Sequence, residues 1–214
     1  MLAERPLLYL VTDRHSLNAD DQMHALIDLV TKAAAAGVGL IQIREKDLSA
    51  RELFELVKTA IAAVRPFGTK VLVNDRIDVA LAGDADGVHL ASNSIPVEVA
   101  RKLIGNRILG ASTHSIEEVR LAAEGGADFV VYGPIFATAS KLKYGEPVGV
   151  ESLGEVTAES KLPVIAIGGI TEANYDSALQ TGAAGIAAIG ILAKADSLPE
   201  LIRKIKRESK DAQM

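Results

Sequence analysis

Along the chain, short runs of consecutive apolar residues alternate with longer stretches whose apolar positions recur every three or four residues. The short runs are too brief for helices and rich in β-branched residues, the pattern of strands buried on both faces. In order they are Leu7–Asp13, Leu40–Arg44, Lys70–Asp75, Gly87–Leu90, Arg107–Ser112, Phe129–Gly133, the run from Val164 into Gly168-Gly169, and Gly185–Gly190. Helical patterns fill the gaps. Asp20-Asp21 offers an N-cap for a helix over Met23–Ala36, with Met23, Leu26, Ile27 and Val30 on one face and Gly37 as its stop. Ser49 and Glu52 form a capping box for a helix reaching Val64; Ser115 and Glu118 form another for a helix ending at Gly125-Gly126. Ile77–Leu81 is a short helix, and Pro96–Leu103 starts on its proline. Further helices begin near Val150 and Glu172, and a basic one spans Pro199–Lys210.

Eight strands alternating with eight helical patterns predict a parallel sheet with helices outside, closed into a (β/α)8 TIM barrel, an α/β fold in a single domain over residues 1–214. An open doubly wound sheet would carry a glycine-rich fingerprint after the first strand, where this chain has Thr12-Asp13-Arg14. The connection from Pro134 to about Pro147 is the one long loop, and such loops usually serve function. Its length and Gly145 predict closure over a substrate.

With 214 residues, 49% of them hydrophobic, the chain can bury a substantial core. A net charge of −5 and only 4% aromatic residues argue against nucleic-acid binding. The absence of cysteine fits a reducing cytoplasm. Neither a signal-peptide pattern nor an apolar stretch of membrane-spanning length is visible, so a soluble cytoplasmic protein is expected.

In such a barrel the chemistry gathers at the C-terminal strand ends. Reading those ends alone gives Gln42, Arg44 and Lys46; Asn74 and Asp75; His89, Ser92, Asn93 and Ser94; Ser112, Thr113 and His114; then Thr138, Ser140, Lys141 and Lys143 on the long loop. The last two strands end in glycines, Gly168-Gly169 and Gly190, where bare backbone can cradle an anion. Arginine and lysine beside amides, hydroxyls and one carboxylate suit a doubly anionic substrate, with Asp75 a candidate Mg²⁺ ligand. Each group also has a plainer reading. Arg44-Glu45-Lys46 also reads as a surface charge run, Asn74-Asp75 as a helix cap, His89 more readily as a hydrogen-bonded core histidine than as a catalyst, and the loop lysines as solvated. His114, just ahead of a capping box, is the better acid/base candidate.

Seven blocks in order carry a resemblance over about Leu7 to Leu192: Tyr9-Leu10-Val11-Thr12-Asp13-Arg14, Gln42-Ile43-Arg44-Glu45-Lys46, Val73-Asn74-Asp75-Arg76-Ile77-Asp78, Gly87-Val88-His89-Leu90, Ser112-Thr113-His114-Ser115, Gly133-Pro134-Ile135-Phe136 and Ile167-Gly168-Gly169-Ile170. Together they resemble the thiamin phosphate synthase family, which includes the thiazole tautomerases. The resemblance implies a TIM barrel that couples hydroxymethylpyrimidine pyrophosphate to thiazole phosphate and releases pyrophosphate. The pyrimidine carbon–oxygen bond breaks first, and the thiazole nitrogen captures the cation. It implies that Gln42, Arg44, Lys46 and Asn74 contact pyrimidine or pyrophosphate, that Asp75 ligates Mg²⁺, and that Ser112 and Lys141 hold the pyrimidine pyrophosphate. Thr138, Ser140 and backbone at Gly169, Ile189 and Gly190 meet the thiazole phosphate. Members of the family commonly self-associate, so a homo-oligomer is expected.

Three departures qualify that picture. Ser94 stands where synthases usually carry a second Mg²⁺-binding aspartate. Ala137-Thr138-Ala139-Ser140-Lys141 lacks the family's prolines, and Gly190 replaces a common serine. The missing carboxylate points toward a metal-free thiazole tautomerase with His114 as general acid/base; retention of Asn74-Asp75 and Lys141 points back to the synthase. A non-catalytic binder of thiamin precursors is the third reading.

Overall fold

A computed structural model describes residues 5–137, 146–193, 195 and 197–211. The apolar runs form β1 (Leu7–Val11), β2 (Leu40–Ile43), β3 (Lys70–Asn74), β4 (Gly87–Leu90), β5 (Ile108–Thr113), β6 (Phe129–Tyr132), β7 (Val164–Ile167) and β8 (Gly185–Ala188). All are parallel and pair in chain order, and β8 pairs with β1, as Leu7↔Gly185 and Tyr9↔Ala187 show, so the sheet is a closed barrel. The expected (β/α)8 architecture is therefore present. Most strands stop one or two residues earlier than the apolar pattern indicates, and the last residues of those runs belong to the following loop. Arg44, Asp75 and Gly133 are such residues.

The helices are α1 (Gln22–Ala35), α2 (Ala50–Val64), α3 (Ile77–Ala82), α4 (Val97–Ile104), α5 (Ile116–Glu124), α6 (Gly149–Glu159), α7 (Tyr175–Leu179), α8 (Gly190–Ala193) and α9 (Leu198–Asp211). Asp21 caps α1 by accepting from the His24 N–H, and the Ser49–Glu52 capping box closes in both directions. The second expected box closes only halfway. Ser115 accepts from the Glu118 N–H, but the Glu118 carboxylate takes the His114 N–H at 2.5 Å instead of that of Ser115. Pro96 is the N-cap of α4, not its first helical residue. Gly190 opens α8 instead of ending β8.

Two apolar layers result. Leu8, Leu10, Ile41, Ile43, Val71, Val73, Val88 and Val130 point outward and pack against the helices. Leu7, Tyr9, Val11, Leu40, Leu72, Phe129, Val131, Ile165 and Ala187 fill the interior, as side-chain layers do in barrels of this kind. Tyr9, Phe129 and His89 meet there, edge-on for Tyr9 with Phe129 at 5.7 Å between ring centroids. Gly110 makes room for them: a Cβ at that position would lie 2.4 Å from Phe129 Cζ and 2.6 Å from His89 Nδ1.

The connection after β6 is not structureless at its stems. The Ile135 and Phe136 N–H groups donate to the carbonyls of Ile167 and Gly168 at 2.9 and 3.0 Å, while Val148 N–H donates to Pro134 O at 2.9 Å. Both stems of the loop are thus tied down beside the end of β7. Thr138, Ser140, Lys141, Lys143 and Gly145 lie outside the described residues.

Candidate active site

Closure brings the C-terminal ends of all eight strands to one face, so residues far apart in the chain become neighbours there. On β2 the inward-facing Gln42 is buried, and its Nε2 donates to Asn74 Oδ1 on β3 at 2.9 Å. Asn74 Nδ2 passes a hydrogen bond on to Asp75 Oδ2, also 2.9 Å. Asp75 Oδ1 accepts from the Ala91 N–H at 2.8 Å, tying the end of β3 to the loop after β4. Asp75 has φ of +56°, a left-handed conformation that costs an L-residue about 1 kcal/mol and tends to persist at functional sites. The alternative of a simple helix cap is set aside: the residue preceding α3 is Arg76, and the Asp75 carboxylate makes no cap bond to it.

Arg44 and Lys46 follow β2, half-buried and exposed respectively. Among the described residues neither makes an ion pair. Glu45 between them is buried, with its carboxylate turned to the loop after β1. The surface charge-run reading therefore fails at its middle residue.

On β4 and β5, His89 Nε2 and Ser112 Oγ share a hydrogen bond of 2.9 Å. His89 is a core histidine, as its apolar strand suggested, but only half satisfied: among the described residues its Nδ1 has no partner, and neither does the buried Tyr9 hydroxyl. Burial disfavours the imidazolium and pulls the His89 pKa down to about 4, with Asp75 opposing and Arg44 reinforcing the shift. The folded pKa lies below the unfolded value of about 6.5, so between those pH values the unfolded chain binds a proton that the folded chain refuses. Stability contributed by neutral His89 is complete above pH ~6.5 and is lost as pH falls toward 4, a loss of about 3 kcal/mol. In metal-free buffer, urea unfolding at pH 7 and pH 4 is expected to show a smaller acid loss for His89→Phe than for wild type. Equal losses would refute the buried-imidazole account.

His114 is exposed at the end of β5. Its Nδ1 contacts the Gly133 carbonyl, which can only accept, so Nδ1 carries the hydrogen and Nε2 remains for proton exchange. At the end of β7, Gly168 and Gly169 have φ of +99° and +64°. Asn174 Nδ2 donates to Gly169 O at 3.0 Å and Asn174 Oδ1 accepts from the Thr171 N–H at 2.7 Å, which staples this turn. Ile189 and Gly190 follow β8 on the same face. Sequence reasoning gave no role to Thr12, Arg14 or Asn174, whose work is to hold neighbours; Thr12 and Arg14 entered only as members of the Tyr9–Arg14 block, and the signal of Asn174 was its place in a strand-end loop.

No group of three or more His, Cys, Asp or Glu side chains among the described residues could hold a metal by itself. The donor set does fit a Mg²⁺ that shares its shell with substrate. Each Asp75 oxygen keeps acceptor capacity beyond its one hydrogen bond. Ser94 sits in the same turn, its N–H donating to Ala91 O at 3.0 Å. One carboxylate plus phosphate oxygens and water is an ordinary Mg²⁺ environment.

Comparison with known proteins places this barrel in a family. Residues 8–192 match the family described as Thiamine monophosphate synthase. A thiamine-phosphate synthase of Chlorobium luteolum is 41% identical over 201 residues, which cover 94% of this chain and 91% of that one. One of Syntrophomonas wolfei is 40% identical over 201 residues, covering 94% of both. Among solved structures, thiamine phosphate pyrophosphorylase from Pyrococcus furiosus superposes with a TM-score of 0.84 at 35% identity, over 97% of each chain. A 3-hexulose-6-phosphate synthase superposes with a TM-score of 0.72 at 16% identity, which shows the fold alone.

Proposed function

The chain belongs to the thiamine monophosphate synthase family, and on that premise we propose how its residues perform the family's reaction. It is a transferase of thiamin biosynthesis that joins hydroxymethylpyrimidine pyrophosphate to thiazole phosphate and releases pyrophosphate. The observation that carries the residue assignment is the pair of cations, Arg44 and Lys46, which make no ion pair among the described residues and follow Gln42 of the Gln42–Asn74–Asp75 chain at the end of β2. As the pyrimidine carbon–oxygen bond breaks, charge grows on the departing pyrophosphate. Preplaced cations stabilise that charge more than they stabilise the bound substrate. Arg44 grips phosphate oxygens bidentately and Lys46 adds a point charge. Gln42, Asn74 and the Ser112 hydroxyl orient the pyrimidine end.

Asp75, with Ser94 close by, is the position for Mg²⁺. The bound ion would neutralise pyrophosphate charge as a Lewis acid. Lys141, Thr138 and Ser140 are assigned to the same two substrates through the tethered loop. Gly168, Gly169, Ile189 and Gly190 offer backbone to the thiazole phosphate. His114 holds the acid/base position through its Nε2. The synthase names of the relatives favour coupling over the thiazole tautomerase or the non-catalytic binder. We place the protein in the cytoplasm on its lack of cysteine, and without nucleic-acid partners on its acidic balance. We read it as a homo-oligomer because members of the family commonly self-associate, and without membrane partners because the chain shows no membrane-spanning apolar stretch. No helix among the described residues is long and apolar enough to cross a membrane.

The test is formation of thiamin phosphate from the two substrates, with Mg²⁺ and with EDTA. Product in the first tube only is expected. Equal product in both removes the metal, and product in neither overturns the synthase reading. Ser94→Asp supplies a second carboxylate and is expected to lower the Mg²⁺ concentration for half-maximal rate about tenfold, since ligand charge sets affinity at oxygen sites. An unchanged Mg²⁺ titration would place position 94 outside the metal shell.

A further inference from the structure

Glu45 occupies an improbable place. It stands in sequence between two cations assigned to pyrophosphate, and it is an anion adjacent to both. Left free, it would pair with one of them. The structure instead consumes its acceptor capacity elsewhere. Thr12 Oγ1 donates to Glu45 Oε1 at 2.6 Å. The Arg14 N–H is shared between Oε1 and Oε2 at 3.3 and 3.2 Å, and Arg14 Nη1 donates to Oε2 at 3.0 Å. The Glu45 side chain is 1% exposed, and that of Arg14 10%. Arg14 is held in turn by Asp47, to which Nη1 donates at 2.6 Å and with which Nη2 also pairs. These bonds hold the Asp47 carboxyl well below its usual range.

The same network reaches the backbone of the cation-bearing loop. Thr12 Oγ1, having donated its hydrogen to Glu45, accepts the Arg44 N–H at 2.9 Å. One hydroxyl therefore joins the buried carboxylate to the peptide of the residue that faces the anion. A buried ion pair contributes little net stability once desolvation is counted, so stability alone does not account for this arrangement.

We propose that Thr12, Glu45 and Arg14 form a positioning clamp, with Glu45 sequestered from its neighbours so that Arg44 and Lys46 stay unneutralised and fixed in direction for pyrophosphate. This rests on the synthase reading and deepens it. None of the three residues touches substrate; each acts through Arg44 and Lys46.

The test uses Thr12→Val, which keeps shape and buries no charge, and Thr12→Ser, which restores the hydroxyl. Pyrophosphate binding is measured by titration calorimetry, and KM is measured separately for the two substrates. Thr12→Val is expected to weaken pyrophosphate binding about tenfold and to raise KM for the pyrimidine pyrophosphate alike, as one lost charge-adjacent hydrogen bond implies. KM for thiazole phosphate stays level, and Thr12→Ser returns both values to within about twofold of wild type. Arg14→Gln, which loosens Glu45, is expected to shift pyrophosphate binding in the same direction. Unmoved pyrophosphate affinity in Thr12→Val, or a parallel rise in both KM values, overturns the clamp while leaving the synthase reading intact. Wild-type protein that binds no pyrophosphate and forms no thiamin phosphate overturns that reading and the clamp with it.

Discussion

Asp75→Asn is expected to lower turnover about a thousandfold at ordinary Mg²⁺, with partial recovery as Mg²⁺ is raised. The amide is isosteric, tolerates the left-handed backbone at φ +56°, and still accepts from the Ala91 N–H through its oxygen. What it loses is the carboxylate proposed to hold a cation; a metal Lewis acid contributes several kcal/mol to a transition state that sheds a polyanion. Chemical unfolding of the variant should move by no more than about 1 kcal/mol, since a single hydrogen bond, from Asn74 Nδ2, is disturbed. Asp75→Ala is a harsher version that also strands the Ala91 N–H, so the asparagine variant is the one that reads charge. Initial rates across a Mg²⁺ titration decide the matter. Wild-type turnover in Asp75→Asn would remove Asp75 from any metal role.

The second large effect is expected at Gly169. A Cβ there would sit 2.6 Å from Ala137 O and 2.7 Å from Phe136 O, both of them backbone atoms with no rotamer to change. With φ at +64° an alanine also bears the left-handed cost. Gly169→Ala should therefore lose about 2–3 kcal/mol of stability. It should also push the 136–137 stem away from the end of β7 and lower kcat/KM about a hundredfold, as misplacing substrate-binding groups by an ångström does. Gly182→Ala separates the two contributions. Its φ is +90°, but the nearest atom to a new Cβ is Thr157 Oγ1 at 3.5 Å, and it lies ahead of β8, on the opposite face of the barrel. That variant should lose about 1 kcal/mol and keep its activity. If Gly169→Ala behaved like Gly182→Ala in both assays, the contact between the glycine turn and the loop stem would carry no function.

The barrel was legible in the sequence because its strands are buried on both faces and therefore read as unbroken apolar runs, and because capping signals such as Ser49 with Glu52 are local. Strand-end residues were legible for the same reason: once the strands are counted, Gln42, Asn74 and Ser112 fall at one face. What escaped is non-local. Whether Glu45 is a solvated charge or a buried anchor depends on Thr12 and Arg14, more than thirty residues upstream, and Arg44-Glu45-Lys46 looks the same in either case. The half-satisfied state of His89 depends on Ser112 being on the adjacent strand and on Gly110 admitting Phe129 beside it. The displaced box at Ser115 turns on a competition between two neighbouring N–H groups for one carboxylate, which residue types alone do not rank.

The closure of β8 onto β1 has a kinetic side. The strands furthest apart in the chain are immediate neighbours at this seam, where Leu7 N–H donates to Ala184 O at 2.9 Å. Joining them closes the longest loop in the barrel, and that loop-closure entropy is lost before the contact returns anything. Until that seam closes, a refolding chain would present an eight-stranded sheet whose β1 and β8 edges are both bare and adhesive. Dilution, or a chaperone that shields those edges, should govern its yield on renaturation more than any property of the finished molecule.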